Sequence, residues 1–113
     1  MESTRQQKIS KLLMKDLGEI FRSEVPRLIG IGAMITVTKV NITRDLSVAR
    51  IYLSIFAAPD KDETLQSIRK STKTIRMMLG KRIKNQIRAI PELVFELDDS
   101  LDYIERIDEL LKE

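Results

Sequence analysis

The sequence predicts a two-layer α+β domain, a three-stranded sheet covered on one face by helices. Three observations carry that prediction. Apolar residues recur every three or four positions from Ile9 to Phe21. Two β-branched runs over residues 34–42 and 47–56 flank a short turn, as in a hairpin. A third short alternating run over residues 92–97 returns after a long helical stretch.

In the first helix Ser3 or Thr4 supplies the N-cap, and Ile9, Leu12, Leu13, Leu17, Ile20 and Phe21 form one stripe. Gly18 inside it costs up to about 1 kcal/mol relative to alanine, which points to close packing there. Pro26 and Gly30-Ile31-Gly32 end the helix and open a loop. MITVTKVNI is a strand, and Thr43 to Leu46 turn the chain. After the turn Ala49, Ile51, Leu53 and Ile55 share one face, with Arg50, Tyr52 and Ser54 on the other.

Asp60 caps a helix that runs to about Lys70, with Leu65 and Ile68 inward. Ile75, Leu79, Ile83 and Ile87 repeat every four residues, but residues 71–74 break the phase, so one long helix is interrupted there. Pro91 is expected to end it. Leu93, Phe95 and Leu97 then share a face of the third strand, which reaches the hairpin by a crossover. Asp98-Asp99-Ser100 cap a last helix whose inner face is Leu101, Ile104, Ile107, Leu110 and Leu111. Residues 1–113 read as a single domain without repeats or linkers.

Composition narrows the chemistry. The chain has neither cysteine nor histidine, which excludes disulfides, thiol catalysis and the commonest general base and metal ligand. Gly30-Ile31-Gly32 lacks the rest of a dinucleotide or phosphate loop, and adjacent Asp98 and Asp99 suit a helix N-terminus better than paired-acid catalysis. The Met77-Met78 pair reads as core filler. The expectation is no enzyme and no cofactor, in a soluble cytoplasmic chain without a signal or membrane segment.

The net charge of +3 hides its distribution. Residues 69–88 hold eight basic residues and no acid, while residues 92–113 hold nine acids against two bases. That split suggests a polyanionic partner. Arg69, Lys73, Arg76, Gly80 and Lys84 are spaced to form one ridge opposite Ile75, Leu79 and Ile83, with Lys70, Lys81, Arg82 and Arg88 widening it. Gly80 would let a backbone or sugar approach closely. With 4% aromatics and no tryptophan, contacts should fall mainly on the nucleic-acid backbone. The alternative is a protein-interaction module that docks acidic protein surfaces through the same helix.

The element order with its basic, interrupted helix pair resembles the type II KH fold, without a GxxG at the break. More specific strings are Arg5-Gln6-Gln7-Lys8-Ile9, Val40-Asn41-Ile42-Thr43-Arg44-Asp45-Leu46 and Ala49-Arg50-Ile51-Tyr52-Leu53-Ser54. To these add Ile75-Arg76 with Leu79-Gly80-Lys81, and above all Arg88-Ala89-Ile90-Pro91-Glu92-Leu93-Val94-Phe95 with Asp99-Ser100-Leu101. Over nearly its whole length the chain resembles the ribosome-binding factor A family of bacteria.

The resemblance implies a ribosome biogenesis factor that binds the immature 30S subunit, assists maturation of the 16S rRNA 5′ end and serves cold adaptation. It implies no cofactor, and release linked to an assembly GTPase. The family's Ala-x-Gly kink matches Ser71, Thr72 and Lys73, where lysine in place of glycine is a departure. Either the kink is shallower here or Lys73 reaches a phosphate. The carry-over places RNA contacts at Ser71, Thr72, Lys73, Arg76, Lys81, Arg82 and Lys84, with Arg5 and Lys8 adding to the footprint and Arg88 the one contact in its string. Members often carry a basic or disordered C-terminal extension, from which the acidic stretch ending at Glu113 departs. A monomer is expected.

Overall fold

The computed structural model describes residues 3–30 and 32–98. The expected last helix lies outside them, and of its Asp98-Asp99-Ser100 cap only Asp98 is described, its Oδ2 accepting from Thr38 Oγ1 at 2.6 Å. The order is α1 (Thr4–Ser23), α2 (Val25–Ile29), β1 (Met34–Ile42), β2 (Val48–Phe56), α3 (Lys61–Lys70), α4 (Thr72–Ile83) and β3 (Glu92–Leu97). The sheet has the order β1-β2-β3, with β1 antiparallel and β3 parallel to β2. No helix among the described residues is long and apolar enough to cross a membrane.

The core lies between one sheet face and the helices. Leu13, Leu17, Ile20 and Phe21 of α1 meet the inward residues of the sheet, and Leu65, Ile68, Ile75, Leu79 and Ile83 of α3 and α4 complete the layer. On β1 the inward set changes parity, from Ile35 and Val37 to Val40 and Ile42. The register shift between Val37 and Lys39 makes this possible: a bulge at Thr38 adds one residue, so both halves keep their apolar side on the core. An uninterrupted period of two would have turned one half to solvent.

Ser3 and Gln6 form a capping box: the Gln6 amide donates to Ser3 Oγ at 3.1 Å, and the Ser3 amide to Gln6 Oε1 at 2.8 Å. The buried Gln6 side chain also donates through Nε2 to the Ile42 carbonyl at 3.0 Å, tying the start of α1 to the end of β1. Gln6→Ala is therefore expected to cost about 2 kcal/mol, against about 1 kcal/mol for Ser3→Ala, which removes the cap alone. Urea unfolding of both variants checks the ordering, and equal losses would deny Gln6 its tertiary role.

Three sequence expectations change. Pro26 begins the short α2 instead of ending a helix, because its missing N–H sits in a first turn where no acceptor is needed. Gly30, at φ 67°, closes α2 in the left-handed conformation. Gly18 is not tightly packed: a Cβ there would meet nothing within 4 Å. It borders a groove of about 860 Å³ between α1 and the start of β1, with Lys15, Arg22, Met34 and Thr36 along its sides. Gly18→Ala should raise stability by about 0.5–1 kcal/mol, read from urea unfolding; a loss would show that the backbone there needs glycine. Finally, α4 ends at Ile83, well before Pro91. The Gln86 amide turns back to the Ile83 carbonyl at 2.8 Å, and the connection that follows bends at residues 88–89 and carries β3 to its place, where Glu92 N donates to Ser47 O at 2.8 Å. Ile87 is half-buried against the core from this connection and not from the helix.

Candidate nucleic-acid interface

The break between α3 and α4 falls at Ser71, with φ −98° and ψ 9°. Ser71 N bonds Ile68 O at 3.0 Å and Thr72 Oγ1 donates to Arg69 O at 2.7 Å, so the last turn of α3 closes on itself before α4 starts. Positive φ among the described residues is confined to Gly30, Leu46 and Ala57. The break is made without a positive φ, and Lys73 in place of a glycine takes on no left-handed backbone. Lys73 stands exposed in the first turn of α4.

The basic residues divide by type. Arg69 forks onto the Phe95 carbonyl at 3.1 and 3.0 Å and pairs with Glu96 at 3.3 Å. Arg76 donates to the Ile90 and Pro91 carbonyls. Arg82 pairs with Asp16 at 2.9 Å and with Glu19, both on α1. All three hold the helix layer to its neighbours, a role that suits a planar fork of donors. Lys70, Lys73, Lys81 and Lys84 are exposed and make no ion pair with the described residues. Gly80 is half-buried beside Ile90, and a Cβ there would make ordinary contact at 3.7 Å from Ile90 Cγ1. Of the expected ridge, Lys73 and Lys84 are exposed without an ion pair among the described residues, Arg69 and Arg76 are exposed but held to backbone carbonyls, and Gly80 is half-buried. The outward face of α4 carries Lys73, Met77, Lys81 and Lys84, spaced four, four and three apart. Met77, expected in the core, is 54% exposed between two lysines, while Met78 packs inward.

The remaining expected residues gather at the other end of α4, about 18 Å from the break by helical rise. There Arg5 and Lys8 of α1, Asp45 and Leu46 of the β1–β2 turn, and Gln86 and Arg88 of the α4–β3 connection surround a pocket of about 360 Å³. Asp45 was absent from the sequence expectations. Its Oδ1 accepts from Thr43 Oγ1 at 2.7 Å, Ser47 Oγ at 2.7 Å and Ser47 N at 3.1 Å. The Ser47 hydroxyl, followed by that of Thr43, lowers its carboxyl to about 2, so it is ionised throughout the neutral range.

The ribosome-binding factor A family model matches residues 5–111. The chain belongs to the ribosome-binding factor A family. It is similar to ribosome-binding factor A of Cytophaga hutchinsonii, 45% identical over 98% of this chain and 83% of the relative. It is likewise similar to that of Flavobacterium johnsoniae, 47% identical over 98% and 85%. Among solved structures, the crystal structure of ribosome-binding factor A from Thermus thermophilus superposes with a TM-score of 0.65 at 24% identity, covering 81% of this chain and 94% of that one. Coordinates of the Thermus thermophilus factor fitted into a cryo-EM map of its 30S complex give 0.63 at 22%, covering 80% and 91%. The fold is accordingly the α+β, type II KH-like arrangement of the family, with the interrupted α3–α4 pair where other KH domains carry GxxG.

Proposed function

We propose that this chain is an RNA-binding assembly factor of the small ribosomal subunit, engaging 16S rRNA through the lysines of α3 and α4. The observation that carries the reading is the division of cations: the fold engages Arg69, Arg76 and Arg82 and leaves Lys70, Lys73, Lys81 and Lys84 exposed without an ion pair among the described residues. Unpaired ammonium groups along a helix suit phosphates, with affinity driven by counterion release. Family membership, and the 30S complex of the Thermus thermophilus relative, favour the ribosome as the source of that RNA. Binding the immature 30S particle, assisting maturation of the 16S rRNA 5′ end in the cold, and leaving with the help of an assembly GTPase complete the proposal. The chain would do this as a cytoplasmic monomer.

Sedimentation with purified 30S particles tests it. Lys81→Glu with Lys84→Glu should lower co-sedimentation about tenfold or more with the melting temperature unchanged, since roughly two phosphate contacts are reversed. About five contacts to single-stranded RNA would give a log–log salt slope of roughly −3.5. A flat salt response, or partner retention after nuclease treatment of a pull-down, would point instead to an acidic protein.

A further inference from the structure

We propose that the pocket formed by α1, the β1–β2 turn and the α4–β3 connection takes a single unpaired guanine of an RNA strand. This rests on the RNA-binding reading above and names a base for an interface otherwise built to hold phosphate.

The pocket is held together by its own chain. Gln6 Nε2 makes a buried bond to Ile42 O at 3.0 Å, and Glu92 N bonds Ser47 O at 2.8 Å, so the helix, the turn and the connection cannot separate without breaking hydrogen bonds. Ile9, Leu46 and Ile87 are half-buried and Pro91 is buried, giving the pocket an apolar lining. At about 360 Å³ it falls within the range of small-molecule sites. A flat apolar ring fits such a lining, and only an unpaired base presents one.

The polar groups select among bases. Arg5, Lys8 and Arg88 are exposed cations at the rim, placed for the strand's phosphates and for acceptor atoms on a base. Asp45 stands among them as an ionised carboxylate. On a surface meant only for phosphate an anion in that place repels the ligand. Oδ1 takes the three donors of the turn, which leaves Oδ2 of this pocket-lining residue to accept from a ligand. Guanine offers two adjacent N–H donors, at N1 and N2, to such an oxygen, and its O6 and N7 are the commonest bidentate target of arginine. Uracil offers one N–H between two carbonyls, and adenine sets a single amino group beside a ring acceptor. Cytosine, like adenine, sets a single amino group beside a ring acceptor; guanine differs in pairing two adjacent N–H donors for the carboxylate with the O6/N7 edge that arginine takes bidentately.

The test is fluorescence anisotropy of the full chain with labelled RNA pentamers UUGUU, UUAUU and UUUUU at one fixed salt concentration. The guanine pentamer should bind about tenfold more tightly than either of the others. Asp45→Asn is informative because three donors hold an oxygen at the Oδ1 position, which puts the new amide nitrogen in place of Oδ2 and exchanges acceptor for donor. The guanine preference should then fall to within about twofold, while affinity for UUUUU does not drop. Arg88→Ala, which leaves the turn intact, should also narrow the preference. Equal binding of all three pentamers by the parent protein overturns the pocket and leaves the RNA reading standing. No binding of any pentamer at low salt overturns both. Competition by 5′-GMP as strong as by the guanine pentamer reassigns the pocket to a free nucleotide and overturns its assignment to RNA.

Discussion

Phe95→Ala is expected to lower the unfolding free energy by about 4 kcal/mol, roughly a quarter or more of the stability usual for a domain of this size. The side chain is 1% exposed, and its ring meets Phe21 of α1 edge-on at 5.5 Å and 64°. It joins the sheet to the helix layer from a strand of only six residues. Truncation would leave a cavity bounded by β2 and α1, neither of which can collapse without disturbing the other. Phe95→Leu should cost about 1–2 kcal/mol, since most of the buried area is kept. Urea unfolding measures both. A loss under about 2 kcal/mol for the alanine variant would mean that the strand contributes little to the core.

Two neighbouring charge reversals should behave in opposite ways. Arg82→Glu is expected to destabilise the fold by about 3 kcal/mol, because Asp16, with only 12% of its side chain exposed, loses its guanidinium and faces a new carboxylate. The figure sits at the low end for a buried pair because the Arg82 side chain is itself 40% exposed and partly screened. Lys81→Glu should change stability by no more than about 0.5 kcal/mol. Its effect should fall on RNA affinity instead. Thermal melts and RNA binding on both variants decide the matter; comparable melting temperatures would show that α4 is not latched to α1 through Arg82.

The fold was legible wherever one period ran unbroken. The stripe of α1, the alternation of β2 from Ala49 to Leu53 and the Asp60 cap each point to one structure and appear as expected, while Ser54, expected on the open face of β2, is buried. The features that escaped sequence reasoning are set by tertiary geometry. The Thr38 bulge hides in a run that is β-branched throughout. The end of α4 is decided by the path the chain needs to enter beside β2, not by helix preference. At the candidate interface the number of basic residues was readable, but their division was not: an arginine and a lysine look alike in a charge count until Asp16, Glu19 and the carbonyls of β3 are in place. Met77 was within reach, since it lies four residues from both Lys73 and Lys81. Asp45 was not, because nothing local links a turn carboxylate to residues forty positions downstream.

The same arginines and the same bulge have a consequence for behaviour at high concentration. A three-stranded sheet has two outer strands, and their unpaired backbone groups invite other chains to add on. On β3, Glu92 and Asp98 donate toward β2, so by the period of two the Phe95 carbonyl faces away from it, where Arg69 occupies it. Just upstream, Arg76 covers the Ile90 and Pro91 carbonyls. On β1 the Thr38 bulge interrupts the regular ladder that an incoming strand would copy. Both rims are blunted by devices that also serve the fold, which leaves little straight template for runaway strand addition between molecules.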